Sequence, residues 1–215
     1  IGMFKKVMIA DSISPSVIYL FNNADILTTL EAWIAGFLYT IQLYYDFSGY
    51  SEMAVGLALF MNLKIPINFN SPYRANSIID FWRRWHISLS YFLKQYLYIP
   101  LGGSRKGPSR QYFNLFTTMF LGGIWHGAGV TYVVWGAMHG LYLCINHYSR
   151  KIKLFVPVFF AWPLTFIAVV ISWVVFRANN ITDAFNIIGS MFGLRNYSLT
   201  TPNLENSEFY ILLII

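Results

Sequence analysis

From Gln111 to Ser149 the chain runs 39 residues without an Asp, Glu, Lys or Arg. A helix of that length would measure about 58 Å, near twice the ~30 Å hydrocarbon thickness of a bilayer. The stretch must therefore cross and turn back, or cross and dip. A second charge-free run, Leu154 to Phe176, has 23 residues and makes about 34 Å of helix, one full crossing. Arg150, Lys151 and Lys153 precede it and Arg177 alone follows, which puts the Arg150 end in the cytoplasm. His126 to Tyr148 then runs from outside to inside. Gln111 to Trp125 runs the other way, with Arg105, Lys106 and Arg110 also cytoplasmic. Fifteen residues are short for a full pass, so the glycines from Gly122 to Gly129 are expected to form a broken or re-entrant turn. Such a turn survives in a membrane only where protein or a wet cavity satisfies its backbone groups.

Upstream, Glu31 to Leu63 reads as two apolar helices split near Asp46-Phe47-Ser48-Gly49-Tyr50-Ser51-Glu52. Asp11, Ser12 and Ser14-Pro15 mark the end of one short helix and the start of another. Residues 65–104 differ in kind, mixing Arg74, Asp80, Arg83, Arg84 and Lys94 with many aromatics. Asp80 to Tyr98 has helical spacing: Phe81, Trp85, Ser88, Phe92 and Tyr96 share one face, and Arg83 and Lys94 another. That pattern suits a helix lying at the cytoplasmic interface, with Asp80 capping its start and its bases snorkelling. Asn196 to Ser207 reads as a polar loop. There is no repeat of 20–50 residues.

Composition narrows the class. Hydrophobic residues make up 56% of the chain and charged residues only 11%, against roughly 25% charged in soluble domains. The reading is an all-α, polytopic membrane protein. A net charge of +6 raises the question of nucleic acid, but the basic residues lie in short clusters between apolar runs and form no continuous stripe. Cys144 is the single cysteine, so no disulfide forms within the chain. The chain begins at Ile1 and stops inside the apolar run Ile211 to Ile215. We read residues 1–215 as one membrane domain truncated at both ends.

Ionisable groups inside apolar runs are functional suspects. His126, in Gly122-Gly123-Ile124-Trp125-His126-Gly127-Ala128-Gly129, is the first of them. Flanking glycines allow backbone and substrate to approach closely, and an imidazole can act as a base near neutral pH. On one continuous helix His139 would lie about 20 Å from His126 and roughly 140° round; it reads as a packing or hydrogen-bonding residue. His147 reads as interfacial. His86 is on another element, and only tertiary folding could bring it to His126. Asp46 and Glu52 leave three readings open: lining a wet cavity, capping a helix, or pairing with Arg83 or Arg84. No His or Cys pair has metal-ligand spacing, and no nucleophile elbow, P-loop or dinucleotide motif is present.

Four stretches taken together resemble the membrane-bound O-acyltransferase family, in particular its bacterial alginate O-acetylation branch. They are Tyr44 to Ser51, Asn68 to Tyr73, Phe81 to Ser90 (FWRRWHISLS) and Tyr98 to Gly103; Gly122 to Gly129 and Trp135 to Gly140 complete the set. The resemblance implies a multi-helix bundle with a central tunnel, in the bacterial inner membrane, reached by an acyl thioester (acetyl-CoA or an acyl carrier) from the cytoplasm. It implies His126 as the catalytic base and His86 as the second catalytic position, with no bound cofactor and no metal. Trp125, Tyr132, Arg83, Arg84 and Asp46 are the expected substrate-binding residues. The implied partners are membrane lipid, a polysaccharide acceptor such as an alginate-like polymer or peptidoglycan, and a periplasmic SGNH or esterase-like acetyltransferase. D-alanyl transfer to teichoic acid is the alternative within the family, and a transporter or export channel the alternative outside it.

Overall fold

The computed structural model describes residues 1–154 and 156–195. The expected loop at Asn196 to Ser207 and the apolar tail lie outside them. The described residues form helices and connecting loops with no strand. Gly2–Phe4 (α1), a π-helical turn at Lys5–Ala10 and Asp11–Asn22 (α2) run on without interruption. No helix ends near Pro15, which lies inside α2. Asp11, read as a stop signal, pairs with Lys6 at 2.7 Å instead of capping a new helix.

The pair of helices expected between Glu31 and Leu63 is one continuous helix, Thr29–Phe60 (α3), about 48 Å long. Thr28 and Glu31 close its start in a reciprocal cap, the hydroxyl accepting from one backbone N–H and the carboxylate from the other. Its polar middle is a docking seam for the N-terminal helix and not a break. Lys6 bridges Asp11 and Asp46, and Lys5 pairs with Glu52. A Cβ on Gly49 would stand 2.6 Å from the Gly2 carbonyl, so only glycine lets the two backbones meet there. The two carboxylates, Asp11 first, hold Lys6 above the usual lysine range.

The expected helix over Asp80 to Tyr98 is also corrected. It is three pieces: Ile78–Arg84 (α4), Ile87–Leu93 (α5) and a π-helical turn Lys94–Tyr98. The corner falls at Trp85-His86, where His86 takes a left-handed conformation, φ 41° and ψ 59°. Phe81 and Trp85 are buried, but Phe92 and Tyr96, expected on the same face, are exposed. Ser77 caps α4 by accepting from the Asp80 N–H, and Asp80 itself pairs with Arg84 at 3.0 Å.

Pro108–His126 (α6) and Val130–Lys151 (α7) form an antiparallel hairpin around Gly127-Ala128-Gly129. Of the glycine run expected to turn, Gly122 and Gly123 are helical instead. A Cβ on Gly123 would lie 2.4 Å from the Tyr132 carbonyl, and one on Gly136 2.6 Å from the Met119 carbonyl. These glycines are the seam along which the two helices touch. Gln111 meets His147 at 3.5 Å at the other end of the hairpin, so the start of α6 and the end of α7 lie side by side with their basic residues. Val158–Arg177 (α8) follows, then Ile181–Met191 (α9), started by an Asn180 cap. Among the described helices, α8 alone is long and apolar enough to cross a membrane by length and composition, with a mean hydropathy of 2.3. The core where α3, α4, α7 and α8 converge is largely aromatic: Phe81, Trp85, Trp135 and Trp173 are all nearly inaccessible, with the Trp135 and Trp173 rings stacked 5.8 Å apart.

Candidate active site

Five parts of the chain close on one cavity of about 300 Å³. Helix α3 supplies Leu43 and Phe47, and the α4–α5 corner supplies Trp82, Trp85, His86 and Leu89. Helix α6 gives Trp125 and His126, α7 gives Trp135, and α8 gives Trp173 and Phe176. Among the described residues, no Asp, Glu, Lys or Arg lines it. Among the described residues, its only titratable side chains are the two histidines, 40 residues apart in sequence and brought together by the fold.

His126 is the last residue of α6. Its ring sits edge-on to Trp135 (5.1 Å, 90°) and Phe176 (5.3 Å, 84°), with Trp125 on the third side at 5.1 Å. It makes no hydrogen bond among the described residues, so aromatic walls hold the ring while both nitrogens stay free for a ligand. The Gly127 that follows has Tyr132 ring atoms 2.8 Å from where a Cβ would be; any larger residue would displace that ring.

His86 is held differently. Its Nδ1 faces Asn68 Oδ1 at 3.4 Å and Ser88 Oγ at 3.5 Å. The Ser88 hydroxyl donates to Asn68 Oδ1 at 2.6 Å, and the Ser88 backbone N–H donates to the same oxygen at 3.1 Å. An acceptor oxygen opposite Nδ1 assigns the proton to that nitrogen and leaves the Nε2 lone pair unused. Phe47 packs its ring edge against the imidazole at 4.7 Å. The loop before α4 makes this possible: Ile87 N–H donates to the Asn68 carbonyl and Asn70 N–H to the Arg84 carbonyl, tying the loop to both sides of the corner. His86 and His126 both line the one cavity.

His139 is fully buried and has no lone pair to spare. Trp82 Nε1–H donates to its Nδ1 at 3.2 Å, and its Nε2 faces Ser172 Oγ at 3.0 Å. The Ser172 proton goes to the Val169 carbonyl at 2.7 Å. His139 Nε2–H must therefore be the donor to Ser172, which fixes a neutral tautomer. The hydrogen-bonding reading of this residue agrees with its geometry, and its bond to Trp82 sets one wall of the cavity.

The other expected binding residues scatter. Trp125 lines the cavity and is 67% exposed. Tyr132 does not line it and stacks edge-on against Phe176 at 4.9 Å. Asp46 faces Lys6 at 2.8 Å, and Arg84 faces Asp80, so neither pairs with the other. Arg83 lines a separate, neighbouring pocket. Asn68 and Ser88 were not singled out for a role, since their convergence on His86 depends on the left-handed corner. Trp135 lines the cavity, and its indole N–H is buried without an acceptor among the described residues.

The profile of the membrane-bound O-acyltransferase family matches residues 16–183, and the chain belongs to that family. It is 48% identical over 213 residues to a peptidoglycan O-acetyltransferase of Helicobacter pylori, covering 97% of this chain and 40% of that protein. It is 49% identical over 208 residues to a probable alginate O-acetylase, AlgI, of Pseudomonas fluorescens, covering 95% of this chain and 41% of the relative. A teichoic acid D-alanyltransferase of Bacillus subtilis is 35% identical over 123 residues, 52% of this chain and 30% of that one. The chain thus spans about 40% of the length of the first two relatives.

Proposed function

We propose that the protein containing this chain is a multi-pass enzyme of the bacterial inner membrane that transfers an O-acetyl group. The donor is a cytoplasmic acyl thioester, acetyl-CoA or an acyl carrier. The destination is a periplasmic or cell-surface polysaccharide, an alginate-like exopolysaccharide or peptidoglycan, reached through an SGNH or esterase-like partner. The observation that carries the reading is the pair of histidines, each with an unengaged ring nitrogen, on one aromatic cavity free of carboxylates and cations among the described residues.

In this reading His126 is the general base. It takes the proton of an acceptor hydroxyl, and the oxygen attacks the thioester carbonyl. The tetrahedral intermediate collapses with loss of the carbon–sulfur bond, and the imidazolium returns its proton to the leaving thiolate. His86, oriented through Asn68, presents Nε2 to position the donor or relay the proton. Indole N–H groups of two cavity-lining residues, Trp125 and Trp135, are candidates to hold the oxyanion. Asp46 and Arg84 act through structure, since Lys6 and Asp80 occupy them.

Acetyl transfer is favoured over D-alanyl transfer because the acetylase relatives match across 95% or more of the chain and at higher identity, whereas the D-alanyl relative matches about half. The test is transfer of labelled acetyl in membranes carrying the full-length protein. Wild type forms a covalently acetylated product, and His126→Ala lowers the rate by roughly a hundredfold or more. A His126→Ala protein as active as wild type ends the assignment, and movement of acetyl donor across the membrane without covalent transfer favours a channel.

A further inference from the structure

A groove of about 610 Å³ is lined by α7, α8, the loop joining them and the start of α4. It shares no lining residue with the histidine cavity. Tyr132 meets Phe176 and His139 meets Ser172, so α7 and α8 run antiparallel and one end of the groove is at their joining loop. The α7 wall is Tyr142, Ile145, Asn146 and Ser149, and the α8 wall Ala161, Leu164, Thr165 and Ala168. Both follow the i, i+3, i+4, i+7 spacing of one helix face, about 10 Å long. Thr165 spends its hydroxyl on the Ala161 carbonyl at 2.7 Å, so the α8 wall offers no free donor. Charge sits at the loop end. Arg150 lines the groove there, with a guanidinium nitrogen 3.4 Å from Ser77 Oγ. Among the described residues no Asp or Glu lines the groove, and Arg150, Lys151 and Lys153 make no ion pair. Ile145, Leu154 and Leu164 line it and are exposed, so the groove is reached from outside the described helices. The Asn146 side-chain oxygen is buried without a hydrogen-bond partner among the described residues.

We infer that this groove holds an anionic phospholipid, its phosphate on the Arg150 guanidinium and one acyl chain between the α7 and α8 stripes. A cation without a carboxylate, at one end of a slot walled by a helix apolar enough to cross a membrane, matches the head-to-chain order of a lipid. Free phosphate would use the loop end alone and leave the α8 stripe against water. A glycerol headgroup also carries hydroxyls, the kind of donor that the Asn146 oxygen lacks, so phosphatidylglycerol is the fitting species. The inference goes beyond acyl transfer: it needs only the membrane setting of the family.

The test uses the full-length protein purified in detergent and titrated with phosphatidylglycerol, phosphatidylcholine or inorganic phosphate, with retained lipid read by native mass spectrometry and stability by thermal unfolding. Wild type is expected to bind phosphatidylglycerol about tenfold more tightly than phosphatidylcholine, the worth of one charge-assisted hydrogen bond. Arg150→Gln should lose that preference, whereas Lys151→Gln, next in sequence but outside the groove, should keep it. Ala161→Phe, which fills the slot and spares the charge, should weaken binding of both lipids. A phosphatidylglycerol with a photoreactive acyl chain should cross-link to residues 142–149 and 161–168. Equal affinity for the two lipids overturns the inference, as do equal losses from Arg150→Gln and Lys151→Gln, which would mean general attraction to a basic surface. Stabilisation by inorganic phosphate as large as by lipid also overturns it. So do cross-links confined to other segments, which would mean that another part of the full-length protein fills the groove. None of these readouts requires turnover, so the assignment of His126 stands or falls separately.

Discussion

At the scale of residues, three histidines on one bundle are set apart by what their ring nitrogens already do. His139 has both engaged, one as acceptor and one as donor. Its replacement by Ala should therefore cost stability, about 3 kcal/mol from the lost volume and the orphaned Trp82 N–H, read as a fall in thermal unfolding temperature of the purified protein. His86 has one nitrogen engaged and one available, and Asn68 decides which. Asn68→Ala should lower acetyl transfer roughly tenfold with the protein still folded, and combining it with His86→Ala should cost no more than His86→Ala alone. Additive losses would mean that Asn68 works by some route other than His86.

At the scale of elements, what was legible was whatever a local pattern records. Charge-free runs and basic flanks marked α6, α7 and α8, and the glycine-flanked His126 marked the end of α6. Elements whose shape depends on distant partners were not legible. Asp46 to Glu52 looks like a break in α3 because polar residues normally leave a membrane helix; the lysines that satisfy them lie 40 and 47 residues earlier. The corner at His86 is hidden inside perfectly helical spacing, since Asn68 and Asn70 bind it from outside the window. Gly122 and Gly123 advertised a turn, yet their lack of a side chain serves contact between helices. Gly123→Ala should consequently push α6 from α7 and destabilise the protein by about 1–3 kcal/mol. Gly56→Ala, where nothing stands within 4 Å, is the matched control in the same unfolding measurement.

For the whole molecule, the orientation proposed from the clustering of basic residues predicts a labelling pattern. With Cys144 replaced by Ser, a cysteine at Lys151 should react with an impermeant maleimide only from the cytoplasmic face, and one at Ala128 only from the periplasmic face. Labelling of both from one side would remove the antiparallel crossing and with it the route from donor to acceptor.

Where α6 and α7 meet at Gly123 and Gly136 there is no side chain to compress or swing, so that bank of the chamber has no slack. His126 rides on it as on a fixed jaw. The opposite bank is the left-handed corner bearing His86, tied down by an asparagine and a serine through a handful of polar contacts. If the gap between the two imidazoles must widen to admit a substrate, the give belongs to the corner, and stiffening the hairpin further would leave turnover untouched.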